Sequence, residues 1–226
     1  MEFSKDLLAN TVPDSGQLPN SQYVTFHYEE GAKKKVLFVG NSITLHGPRK
    51  SVGWSGNWGM AASEEAKDYV HLTVDGLRER FGPINWGIAQ AAIWERAFTD
   101  LSILHEQYAD ARAFGADIVI VRIGENLSRA LLATEELSGP FAEMVRFFAP
   151  EGTERILVSD LFWASPVMDE PIRRAVQENG WTLVPLGDLG QMDENKALGL
   201  FEHDGVARHP GDRGMRAIAD RILGAL

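Results

Sequence analysis

The chain has no cysteine among its 226 residues. A disulfide framework, a thiol nucleophile and a zinc-thiolate centre are therefore excluded, while the compartment stays open, because secreted proteins need not carry disulfides. Positive charge is also scarce: 22 Lys and Arg stand against 32 Asp and Glu, for a net charge of -10. Nucleic-acid binding asks for clustered basic residues, and the one basic run, residues 33–35, abuts a strand pattern and reads as a solvated edge. Long apolar runs are missing as well. No stretch reaches the ~18 apolar residues that a membrane span requires, and Met1-Glu2-Phe3-Ser4-Lys5-Asp6 does not lead a basic stretch into an apolar one as a signal peptide would. The expectation is a cytoplasmic protein with a small-molecule partner, no nucleic acid and no membrane span.

Hydrophobic content of 44% and charged content of 24% are ordinary globular values, and the length suits one domain with a full core. Strands are expected at residues 36–39, 84–88, 116–123, 155–159 and 181–186, with a weakly alternating edge strand at 23–28. Helical spacing is expected over 63–81 with Ser63 as N-cap, over 94–114, from about 135 to 148 around Gly139-Pro140, over 170–178, and over 212–223. Strands alternating with helices predict an α/β chain: a three-layer αβα sandwich on about five parallel strands, flavodoxin-like in arrangement. Residues 1–30 read as an extended N-terminal arm, with Pro13, Gly16 and Pro19, that wraps the surface or reaches a second copy of the chain. Residues 31–226 read as one domain, and the long irregular piece 187–208 as a functional or mobile loop.

In open α/β sheets ligands bind beyond the carboxyl ends of the strands. Three such positions carry chemistry. Gly40-Asn41-Ser42 follows the first inner strand, which makes Ser42 a candidate nucleophile as well as a turn residue. Gly124-Glu125-Asn126 ends the most apolar strand, and the Asn126 amide is a neutral donor suited to a developing oxyanion. Asp204-Gly205-Val206-Ala207-Arg208-His209-Pro210 stands just ahead of the last helix, and the His209 imidazole titrates near neutrality as a general base must. His27, His46, His71 and His105 lack such a setting and read as structural. Trp54 and Trp58 on a Gly-rich loop, and Trp163, either line a substrate pocket or pack their loops onto the domain.

These blocks resemble the SGNH or GDSL esterase/lipase superfamily. Gly40-Asn41-Ser42-Ile43-Thr44 is similar to its first block, Gly124-Glu125-Asn126 to its third, and Asp204 to His209 with Pro210 to its closing block. The similarity spans residue 35 to the end. It implies Ser42 as nucleophile, His209 as base and Asp204 as the acid, with Ser42 and Asn126 in the oxyanion hole and no metal or organic cofactor. For the remaining oxyanion donor, a backbone N–H, Gly87, Ala89 and Gln90 compete, since the second block usually reads Asn-x-x-x-x-Gly and here Asn85 runs on to Gln90. The family's Asp stands three residues before its His, a position held here by Val206. Either a bulge brings Asp204 to His209, or Glu202 or a backbone carbonyl orients the imidazole and the pair acts as a Ser-His dyad. Asn41 replaces the usual Asp of the first block, and Leu127 the usual Asp after Asn126.

The implied function is serine-dependent hydrolysis of a carboxylic ester, of an acetylated carbohydrate or a short-chain lipid. The competing readings are a non-catalytic sugar or small-ligand binding module built on the tryptophans, and a metal-dependent hydrolase using His203, Asp204 and His209.

Overall fold

The computed structural model describes residues 24–226. The expected arm up to Tyr23 lies outside the described residues.

Strands β1 (Val24–His27), β2 (Lys34–Gly40), β3 (Ile84–Gln90), β4 (Ile118–Arg122), β5 (Arg155–Ser159) and β6 (Thr182–Val184) form one sheet in the order β1-β3-β2-β4-β5-β6. Five strands run parallel; β1 pairs with β3 antiparallel and makes a sixth, at the edge. The sheet is therefore one strand larger than five. That sixth strand is the edge strand expected at residues 23–28, and it takes Val24–His27 out of the arm expected over residues 1–30.

Both faces of β2 are buried, which is why its sequence does not alternate. Val36 and Phe38 pack on one side against Val70 and Leu77 of α1 (Tyr69–Phe81) and Ile218 and Ile222 of the last helix, α9 (Asp212–Gly224). Leu37 and Val39 pack on the other, against α2 (Ala92–Arg96), α3 (Ser102–Gln107), α4 (Ala109–Ala113), α6 (Ser138–Phe148) and α7 (Pro166–Asn179). The result is the expected three layers. Two one-turn helices complete the chain: α5 (Arg129–Leu132), and α8 (Asp204–Ala207) inside the irregular piece before α9.

Several expected boundaries move for identifiable reasons. Asp68, not Ser63, caps α1 by accepting from the His71 N–H, and Ser63 instead donates to the Asp212 carboxylate. The helical spacing of residues 94–114 divides into α2, α3 and α4 because the backbone leaves the helix at Ala97 and Tyr108. Burial of Trp94, Phe98, Leu104 and Tyr108 against the sheet outweighs helix continuity. Gly139-Pro140 sits in the first turn of α6, where proline is tolerated, and so delays that helix rather than splitting it. Helix α7 starts early, at Pro166, and carries Pro171 within its second turn.

Among the described residues no helix is long and apolar enough to cross a membrane.

Candidate active site

The chain leaves β2 for β3 on one side and later places β4 on the other, so the carboxyl end of β2 is a topological switch point. Gly40 is the last residue of β2, and glycine is required there because a Cβ would lie 1.8 Å from Thr44 Oγ1 and 2.8 Å from the Arg122 carbonyl. The tight turn that follows, with Thr44 and Leu45 N–H groups both donating to the Asn41 carbonyl, lifts Ser42 to the rim of the crevice. Ser42 is anchored from behind, its carbonyl accepting from Met60 N–H.

His209 arrives from the opposite end of the sequence. Its Nε2 lies 2.9 Å from Ser42 Oγ, and its Nδ1 lies 2.6 Å from the carbonyl oxygen of Gly205. A carbonyl can only accept, so the proton sits on Nδ1 and Nε2 presents its lone pair to the Ser42 hydroxyl. Burial pushes the imidazolium down to about 4, with Arg122 and His46 lowering it further and the Gly205 carbonyl opposing, so the ring is neutral at physiological pH. Trp163 stands edge-on to the imidazole at 5.1 Å between centroids and holds its other flank.

Asp204 takes no part in this contact. Its carboxylate is 73% exposed and pairs with Arg208 Nε at 2.8 Å. The expected bulge is instead the single turn of α8, which ends at Ala207, two residues before His209, and leaves Asp204 on its exposed side against Arg208. Of the alternatives weighed for orienting His209, the backbone carbonyl occupies the position.

Beneath Ser42 lies a buried polar network that the sequence motifs do not reveal. Glu95, on α2, has no exposed surface. It accepts from Asn41 Nδ2 at 3.0 Å, Gly124 N–H at 2.7 Å, Asn126 N–H at 3.1 Å and Asn126 Nδ2 at 2.7 Å. Asn126 is thus held at both its backbone and its side chain, and its amide keeps a second N–H. Arg122, equally buried, forks onto Glu125 at 2.6 and 2.7 Å and reaches Asn41 Oδ1 at 2.6 Å. Burial raises the Glu95 pKa and the Glu125 charge raises it further, against the pull of Asn126 and Asn41. Burial acts on Glu125 too, but Arg122 and Asn41 outweigh it and hold that carboxyl below its usual range. One signal was available: Arg122 is a charge inside the most apolar strand of the chain, where only a buried partner could keep it.

A cleft of about 430 Å³ opens over this floor, lined in part by Ser42, His46, Gln90, Asn126, His203 and His209. Gln90 ends β3, its Oε1 taking the Ala92 N–H. Gly87 is not at the cleft. It sits mid-strand between Leu37 and Phe26, where a Cβ would press on Thr25 O at 2.8 Å, so its glycine serves sheet packing. His46, read as structural, lines the cleft, and burial lowers its pKa.

The tryptophans stand behind the walls. Trp54 donates to the His46 carbonyl and packs on Trp58 and Phe201, and Trp58 donates to the Ala62 carbonyl. Neither ring, nor Trp163, lines the cleft. Among the described residues no cluster of three or more His, Asp or Glu groups is placed to hold a metal ion.

Comparison with solved structures gives the same architecture. The lipase/acylhydrolase from Enterococcus faecalis matches with a TM-score of 0.53 at 12% identity, over 84% of this chain and 94% of its own. A two-domain esterase active on acetylated mannans matches with 0.56 at 14%, over 84% of this chain and 48% of its own. An acetyl xylan esterase, AlAXEase, matches with 0.50 at 17%, over 85% and 99%. The chain has the fold of the SGNH/GDSL lipases and esterases. No protein-family model matches the sequence, and no curated protein matches it. Within that fold, Ser42, Asn126 and His209 of the first, third and closing blocks meet at one crevice with Gln90, whereas Asp204 and Gly87 stand away from it.

Proposed function

We propose that the protein is a serine esterase acting on small carboxylic esters. The observation that carries this reading is the Ser42 Oγ to His209 Nε2 approach of 2.9 Å, with Nδ1 tied to a carbonyl that fixes the reactive tautomer. Ser42 Oγ attacks the ester carbonyl carbon while its proton passes to Nε2, giving a tetrahedral oxyanion. Collapse breaks the bond to the alcohol oxygen, which takes the proton from Nε2 and leaves. Water, deprotonated by the same nitrogen, then attacks the acyl-Ser42 carbonyl, and the second collapse returns the proton to Ser42 and frees the acid.

The oxyanion is held by the second N–H of the Asn126 amide and the Ser42 backbone N–H, with the Gln90 amide at the same rim. Glu95 sets the Asn126 amide in place beforehand, so little reorganisation accompanies charge development. His209 acts without a carboxylate partner, as half of a Ser-His dyad. The mechanism calls for no cofactor. The fold neighbours named for acetylated mannans and acetyl xylan, and the acylhydrolase, keep acetylated sugars and short acyl esters as the first substrates to try.

The test is hydrolysis of 4-nitrophenyl acetate and butyrate by wild type and Ser42→Ala. Wild-type turnover that falls at least ~10³-fold in the variant supports the reading. Equal rates in the two proteins refute it.

A further inference from the structure

The cleft inverts the charge of the chain around it. Acidic residues outnumber basic ones 32 to 22 overall, yet among the described residues the cleft is lined by Arg49 and Arg96 and by no Asp or Glu. Most arginines elsewhere are committed to carboxylates, as Arg78 is to Glu29 and Asp75, Arg122 to Glu125, and Arg221 to Asp188. Arg96, at the end of α2, and Arg49 form no ion pair with any described residue. Arg49 gives its Nε to Ser51 Oγ at 3.2 Å, and its backbone is pinned by two hydrogen bonds with Trp54. Its guanidinium keeps its terminal N–H groups.

The carboxylates near the cleft do not cancel this charge. Glu125 is neutralised by Arg122, Glu95 is wrapped by four N–H donors, and Asp204 is paired with Arg208 outside. His46 is held neutral by burial. The lining therefore sets two arginines, with no carboxylate among them, beside an apolar wall of Val52, Met60, Ile93 and Ile103. Guanidinium matches carboxylate in shape as well as sign, presenting two parallel N–H donors.

We infer that the cleft selects an ester bearing a carboxylate on a short apolar body, with Arg49 and Arg96 binding the carboxylate while Ser42 attacks the ester carbonyl. This rests on the esterase reading and goes beyond it by naming the charge of the substrate. A neutral acyl chain fills the apolar wall but leaves both guanidinium groups unmatched.

The experiment compares two matched pairs of substrates. With the charge on the acyl side, the mono-4-nitrophenyl ester of adipic acid is set against 4-nitrophenyl hexanoate; with the charge on the alcohol side, 4-acetoxybenzoate is set against its methyl ester. Wild type, Ser42→Ala, Arg49→Gln, Arg96→Gln and Arg96→Lys are assayed at low and high NaCl, with Arg216→Gln on α9 as a remote control.

The expected result is that the anionic member of at least one pair is favoured about tenfold in kcat/KM, mainly through KM. That preference falls about tenfold in Arg49→Gln or Arg96→Gln, falls less in Arg96→Lys, which keeps the charge but loses the paired N–H donors, is unchanged in Arg216→Gln, and shrinks as salt rises. Ser42-dependent turnover with no anionic preference in either pair overturns the inference and leaves the esterase standing. So does a preference that survives both Arg→Gln changes. Turnover of all four substrates no faster than by Ser42→Ala overturns the esterase reading and this inference with it.

Discussion

Replacing Asp204 by Asn separates this site from a Ser-His-Asp triad. In a triad, amidation of the acid costs ~10⁴-fold in kcat, because the imidazole is left in the wrong tautomer. Here the Nδ1 proton is already held at 2.6 Å by the Gly205 carbonyl, which the substitution does not touch. Asp204 contributes only a solvent-screened charge, on the order of 0.5 kcal/mol at the imidazole, or about two- to threefold in rate. Its pair with Arg208 is exposed at both ends and spans one helical turn, so the stability loss is ~0.3–0.5 kcal/mol. Asp204→Asn should therefore retain kcat/KM for 4-nitrophenyl acetate within about threefold of wild type. Urea denaturation of the same preparation checks that folding is intact. A fall of ~100-fold or more, in a variant that unfolds at the wild-type urea concentration, would refute the dyad: the carboxylate would then have to swing onto Nδ1 during the reaction.

Three further outcomes follow from the buried network and the base. Glu95→Gln turns one N–H-accepting oxygen into a donor facing donors, at about 1–3 kcal/mol of stability, and releases the Asn126 amide; kcat should drop ~10–100-fold with KM little changed, whereas a purely structural role would leave kcat of the folded fraction at wild type. The kcat/KM profile should rise with deprotonation of a group near pH 4, where burial places His209, and be flat across neutrality, so a rise centred on the ordinary imidazole value would contradict the geometry. Asn41→Asp sets a third carboxylate between Glu95 and Glu125 with Arg122 alone to offset them, and should destabilise by about 3–5 kcal/mol near neutral pH. The added carboxyl has a raised folded pKa, so the folded form binds the extra proton and the deficit shrinks as pH falls; equal urea midpoints for variant and wild type at pH 8 would refute this.

The parts of the molecule legible in the sequence are those fixed by short-range pattern. Uninterrupted, β-branched apolar runs such as residues 36–39 and 118–121, each closed by a Gly-containing turn, read as inner strands, and the polar turns after them placed Ser42 and Asn126 at one edge of the sheet. What pattern does not encode is direction after a turn. The spacing of Asp204 and His209 was legible, but whether one turn of helix or an open bulge lay between them was decided by packing of Val206 and Ala207, both buried. The two readings of the tryptophans stayed open for a related reason. Composition says that a ring is near a loop, whereas the side of the wall it occupies depends on partners such as Phe201, more than a hundred residues away. Glu95 was hidden inside a helical pattern read as continuous, and it is α2, starting straight after β3, that sets it under the strand ends.

The two departures from the family pattern at the first and closing blocks have one physical consequence. Burial, with Arg122 adding to it and no carboxylate at Nδ1 to oppose it, makes His209 a weak base, and a base far below the working pH gains less from proton transfer than one matched to it. In the proposed mechanism the rate must then lean on the oxyanion side, where preorganised donors act in a water-poor site. The buried carboxylate of this site serves that side: Glu95 fixes the Asn126 backbone and side chain together, and Asn41, an amide that donates to Glu95 and Glu125 while accepting from Arg122, is what lets two acids and one arginine share that floor. An Asp at position 41 could accept from Arg122 but could donate to neither glutamate. The order of sensitivity expected of a triad is thereby reversed, with Glu95→Gln costing more activity than Asp204→Asn.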